Sequence, residues 1–249
     1  MVIYIHYLSI MSNISYYIQT QIEKIAPGQI IQLKDFNLPS DNRMAMAKEL
    51  SRLVRKGILN RLEKGKYFKP RKTTFGILKP SENEIIKTIL VSSKGYLSGV
   101  GAFNSLGLTS QISNTIEIAV SDFRPPKKIA GLKIKFRKSN VNIIPENGEI
   151  LQILDAIRYI NKIPDSKPDE ALTIIIAKIK SMSISRKKTL LEYAFECNPT
   201  VRAIIGAIFE LSCKSISVDK LYNTLNPLSS YRLEISDEIL PNKSRWKIK

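Results

Sequence analysis

Few residues in this chain are of types that do chemistry, and their spacing narrows the choice further. It has one histidine, His6, and two cysteines, Cys197 and Cys213. A single imidazole excludes a His-rich zinc site and the HExxH pattern, which needs two histidines on one helical face. Its place in an apolar N-terminal stretch makes it a poor base for a Ser-His-Asp arrangement. Two well-separated cysteines form no CxxC knuckle and no disulfide framework, as expected of a reducing cytoplasm, and read as small buried hydrophobes. A nucleotidyltransferase would need a Gly-Ser pair followed by closely spaced aspartates for two-metal catalysis, and the chain has no Gly-Ser pair. A nuclease of the Asp…(Asp/Glu)-x-Lys kind fares little better. Asp122 follows one strand-like segment, but Lys133 and Lys135 on the next have no carboxylate before them, and Asp165-Ser-Lys167 sits in a Pro-flanked loop. The Walker A pattern is absent, and Gly99 and Gly101 lack the third glycine and the strand-first βαβ unit of a dinucleotide loop. The chain therefore reads as a protein that is not an enzyme and needs no cofactor or metal.

What it does carry is positive charge. There are 39 Lys and Arg against 22 Asp and Glu over 249 residues, a formal +17. The excess is uneven: residues 43–72 hold 11 basic and 2 acidic residues, whereas residues 148–249 hold 16 and 12. At 43% hydrophobic the chain can bury a core, which excludes a disordered basic tail. No apolar run approaches the roughly 18 residues of a membrane span. The first ten residues lack the basic flank and cleavage site of a signal peptide. They read either as an upstream start or as a peripheral strand, and a cytoplasmic location is expected.

The basic focus lies on a recognisable order of elements. Ile14, Ile18, Ile22 and Ile25 mark one face of a helix, which Pro27-Gly28 stops. Ile30-Ile31 predicts a short strand and Leu33–Phe36 a short second helix. A third helix over about 42–56 turns Ala47, Leu50, Leu53 and Val54 inward and most of its basic residues outward. Gly57 ends it, and a hairpin follows with its turn at Glu63-Lys64-Gly65. Helix, strand, helix, basic helix and basic hairpin is the layout of a winged helix-turn-helix spanning 11–72. In that arrangement the third helix enters the major groove and the hairpin holds phosphate. Asn42, Arg43 and Met46 are expected to face base edges. Lys48, Arg52, Arg55 and Lys56 flank the groove, and Arg61, Lys64, Lys66 and Lys69 bind phosphate. A solvated basic face, or a winged helix used as a protein dock, is the alternative reading of the same residues.

Residues 73–81 read as a connector, and 82–249 as a further domain: mixed α/β over 82–147, helical over 148–225, extended over 226–249. A helix is expected at Glu82–Ser93, a short one at Val100–Leu106 with Gly107 as its cap, and strands at Thr115–Val120 and Leu132–Arg137. In the second strand Lys133, Lys135 and Arg137 alternate with apolar residues, giving either a secondary basic surface or a charged edge strand. Asn104, Ser105, Thr109, Ser110 and Gln111 form a polar group with two readings, a functional surface or the capping and turn chemistry of their own loop. The fold class is α+β: a winged helix, a mixed segment and a mostly helical C-terminal part.

The run Leu53-Val-Arg-Lys-Gly-Ile-Leu-Asn-Arg-Leu-Glu-Lys-Gly-Lys-Tyr67, followed by Gly101-Ala-Phe-Asn-Ser-Leu-Gly-Leu-Thr-Ser-Gln111, resembles the AbiEi-like antitoxins, in a subfamily long known only as a domain of unknown function. The similarity extends from about Ile14 through Leu225-Asn-Pro-Leu228 and Leu240-Pro-Asn-Lys-Ser-Arg-Trp246. It implies a winged helix that binds the double-stranded DNA of its own promoter and represses it. It also implies a C-terminal domain that counteracts a nucleotidyltransferase-like toxin in a type IV toxin–antitoxin, abortive-infection system, without a stable complex being required. Two alternatives stand beside it: C-terminal helices that bind a partner protein directly, and a stand-alone winged-helix regulator.

Overall fold

The computed structural model describes residues 14–74 and 76–249; the expectation for residues 1–10 lies outside them. The protein is mixed α+β, with helices and small sheets. The described residues divide into two compact units, residues up to 89 with 128–132, and residues 90–127 with 133–249.

In the first unit, the isoleucine spacing of 14–24 forms helix α1. Strand β1 (Ile30–Gln32) follows, then 3-10 turns at Leu33–Asp35 and Ser40–Asn42, helix α2 (Arg43–Arg55), and strands β2 (Asn60–Glu63) and β3 (Lys66–Phe68). The three strands are antiparallel in the order β1-β3-β2, with Tyr67 between Ile31 and Arg61. Ile14, Ile18 and Ile22 of α1 meet Met46, Leu50 and Leu53 of α2 over Ile31, Phe36, Leu59 and Tyr67. The end of α2 is fixed by Gly57, whose φ of +70° lets its N–H reach the Val54 carbonyl while the Ile58 N–H reaches Leu53. This is the Schellman closure, open to glycine because the left-handed region costs it nothing. Where the sequence suggested a connector, β4 (Arg71–Thr73) and β5 (Gly76–Leu78) pair as a second hairpin. Three-residue strands between Pro70 and Pro80 are too short to show an alternation.

Helix α3 (Glu82–Ser93) leads into the second unit. There β6 (Tyr96–Ser98), β7 (Thr115–Val120) and β9 (Leu132–Lys138) are neighbours in that order, β6 antiparallel and β9 parallel to β7; the short β8 (Lys127–Ile129) falls mostly among the residues of the first unit. Helix α4 (Gly99–Ser105) follows β6 directly. Helices α5 (Gly148–Arg158), α6 (Pro168–Ser181), α7 (Ile184–Phe195), α8 (Pro199–Ser212) and the short α9 (Asp219–Tyr222) complete the unit. Proline opens α6 and α8, where its missing N–H costs nothing. The side chains of Ser183 and Asn198 accept from the N–H groups of Arg186 and Val201 as N-caps of α7 and α8. The core draws on Ile150, Ile153 and Ile157 of α5, Leu172 and Ile175 of α6, Leu190 of α7 and Ile204 and Ile208 of α8. Residues 226–249 are not an extended tail: Tyr231 bridges Ile248, and Trp246 is fully buried in the core.

Candidate nucleic-acid interface

Helix α2 sorts its residues by phase. Met46, Glu49, Leu50 and Leu53 are buried, while Arg43, Met44, Lys48, Ser51 and Arg55 are exposed. Met46, expected to face a base edge, is therefore a core residue at 4% exposure, and the methionine that faces outward is Met44 at 76%. Asn42 precedes the helix at half-exposure with no side-chain cap bond. Ala47 and Val54, expected inward, are half-buried. Lys56, Arg61 and Lys64 are exposed, Lys64 beside Gly65 in the β2–β3 turn. The exposed cations on and around α2 and the hairpins thus include Arg43, Lys48, Arg55 and Lys56 on and after α2, Arg61 and Lys64 on the β2–β3 hairpin, and Arg71 and Lys79, which the sequence reading left out of the site.

Three of the expected phosphate or groove residues do structural work instead. Arg52 grips Glu49 with Nε and Nη2, both at 2.8 Å, and donates from Nη2 to Ser15 Oγ, also at 2.8 Å. Gln19 Nε2 adds a bond to Glu49 at 3.1 Å, so this cluster fastens α1 to α2. Lys66 is buried beside Glu63, Nζ to Oε1 at 2.7 Å. Lys69 sends Nζ to the carbonyls of Ile22 and Glu23 at 3.1 and 3.0 Å, satisfying acceptors that the end of α1 leaves open.

Burial acts to raise the Glu49 pKa, but hydrogen bonds from Arg52, Gln19 and Ser15 outweigh it and hold the carboxyl below its ordinary 4.5. A depressed carboxylate stabilises the fold above its unfolded pKa, and that contribution is lost as pH falls through the folded value. Glu49→Gln should therefore destabilise the protein at pH 7 and by less at pH 3, flattening the acid limb of a melting-temperature profile. Equal losses at both pH values would refute this role.

In the second unit the basic alternation of β9 breaks at one residue. Lys133 and Lys135 are exposed, Lys135 within 4.0 Å of Glu117. Arg137 is not a surface cation. It forms one row with Ala119 and Tyr96 across the sheet, and Nη2 meets Asp155 Oδ2 of α5 at 2.5 Å. The Tyr96 and Ser98 hydroxyls donate to the same oxygen at 3.0 and 2.9 Å. Burial and the negative charge of Asp155 push the Tyr96 phenol well above its usual value. The adjoining cavity, beside Ser139, Arg158 and Cys197, is about 10 Å³, room for no more than a water. Burial raises both cysteine thiols, so neither is a poised nucleophile. Asn104 donates to the carbonyls of Thr109 and Gln111, Thr109 Oγ1 accepts from the Gln111 N–H, and Ser105 bonds Ala102. This is loop-shaping chemistry; Ser110 and Gln111 are exposed beside it. Among the described residues no helix is long and apolar enough to cross a membrane.

A mixed α+β chain with a small antiparallel sheet in its first unit and a helical second unit is the class these observations define. The chain belongs to a family of unknown function, DUF6088, whose model matches residues 17–190. Among solved structures it is similar to that of the RV2827C protein from Mycobacterium tuberculosis, at 9% identity over 88% of this chain and 85% of that one, with a TM-score of 0.46. No curated protein matches it.

Proposed function

We propose that the first unit is a winged helix-turn-helix that binds double-stranded DNA, and that the chain is a cytoplasmic transcriptional repressor acting as the antitoxin of a type IV toxin–antitoxin pair. The observation that carries the DNA reading is the face of α2. Lys48 and Arg55 stand on the side opposite its core residues, Arg43 is exposed at its first position, and the β2–β3 hairpin adds Arg61 and Lys64. The strand order β1-β3-β2 supports the same reading, since it lets a hairpin follow a helix whose outer face stays open. The antitoxin role rests on the sequence resemblance and is tested separately, by protection of cells expressing the nucleotidyltransferase-like product of a neighbouring gene.

Phosphate contacts release counterions, each contributing about 0.9 to the slope of log affinity against log salt. Lys48→Ala with Arg55→Ala should weaken binding to every duplex alike and lower that slope by about two. Gel-shift titrations with the full chain at several salt concentrations measure it. An unchanged slope would remove α2 from the interface, whereas Lys66→Ala should leave the slope unaltered because its charge is already paired with Glu63.

A further inference from the structure

We infer that α2 reads thymine through its 5-methyl group, with Met44 as the reading side chain and Ala47 widening the apolar contact. The inference rests on the DNA-binding reading above. At 100° per residue, Met44, Ala47, Lys48, Ser51 and Arg55 fall within an arc of about 100°. That arc lies opposite the buried Met46, Leu50 and Leu53.

Met44 therefore adds nothing to the core, although it sits in the first turn of the most basic helix of the unit. Lys48 and Arg55 share its face, and Arg43 is exposed at the first position of the helix. The complementary surface must bring negative charge around a small apolar group. The major groove meets that requirement with two phosphate backbones and, on the base edges, one apolar group, the thymine methyl. A long unbranched thioether suits such a contact because it adapts its shape at little cost. Ser51 donates its hydroxyl to the Ala47 carbonyl at 2.8 Å, so its proton is engaged within the helix. The two apolar side chains are then the outward groups of this stripe that carry no charge and offer no free proton.

The test starts from a pool of random duplexes, from which the full-length chain enriches those it binds. Thymines of an enriched duplex are then replaced one at a time by uracil, which removes the methyl and keeps the pairing. One or two positions should respond, each weakening wild-type binding about fourfold, the worth of one buried methylene-sized group. Met44→Ala should weaken the thymine duplex by a similar factor and be indifferent to uracil at those positions, while Met44→Leu keeps the response. Met44 is exposed, so these variants fold. A uracil effect equally large in Met44→Ala, or no responding position, overturns the inference while leaving DNA binding intact. Failure to enrich any duplex overturns the DNA-binding reading itself.

Discussion

Replacing Asp155 with alanine should lower the stability of the second unit by about 3–5 kcal/mol, the cost of stranding one partner of a buried ion pair. Arg137 is the stranded partner, with its side chain 24% exposed and that of Asp155 5%. Burial works against the charge of Arg137, and Asp155 together with Tyr96 and Tyr159 outweighs it. Asp155 Oδ2 also accepts from Tyr96 and Ser98, so its removal leaves two further buried hydroxyls without their acceptor. Asp155→Asn keeps an oxygen there and loses the charge, and should fall between wild type and alanine. Urea denaturation reads this directly, because the single tryptophan, Trp246, is buried in the same unit. The double variant Asp155→Leu with Arg137→Met should recover most of the loss, since an apolar pair of similar volume has no desolvation cost. A loss below about 1 kcal/mol for Asp155→Ala would mean that the pair is wet and contributes little.

The same residue marks where sequence reasoning stops. Strict alternation in Leu132–Lys138 reveals a strand and its two faces, and both are found. Alternation carries no information on what covers the second face, and α5 covers the end at Arg137 while leaving Lys133 and Lys135 exposed. Helix α2 shows the companion error, one of phase. Its span was legible to within a residue from the Ser-Asp-Asn turn and Gly57. Two methionines two residues apart lie some 200° from one another on a helix, and only the phase set by Leu50 and Leu53 shows which is inside. That signal was available and points to Met44 as the outer residue. Lys66 and Lys69 were misplaced for another reason: a lysine's stem reaches far enough to pair or cap inside its own module, which no count of charges reveals. The strands β6 and β8 were missed because three residues cannot establish a period.

Substituting Trp246 should cost as much as breaking the buried pair, and a second position shows why. Gly206 lies in the middle of α8, where glycine is worth about 1 kcal/mol less than alanine. A Cβ placed there would overlap the six-membered ring of Trp246, so the helix accepts a poor helix former in order to seat an indole. The ring also meets Tyr222 edge-on with centroids 5.3 Å apart, and its Nε1 donates to Glu210 Oε2 at 2.9 Å. Asn242 and Arg245 bind the same carboxylate, which ties residues 242–246 to α8. Trp246→Ala should therefore lose about 3–5 kcal/mol. Gly206→Ala should lose about 1–3 kcal/mol by overpacking, with a red shift in tryptophan emission as the ring is displaced. The decisive measurement is the combination, followed by circular dichroism because the fluorophore is gone. In the Trp246→Ala background the ring no longer opposes a Cβ, so Gly206→Ala should change sign and stabilise by up to about 1 kcal/mol. If it destabilises equally in both backgrounds, the helix itself and not the indole demands glycine, and residues 226–249 are held to α8 by their polar contacts alone.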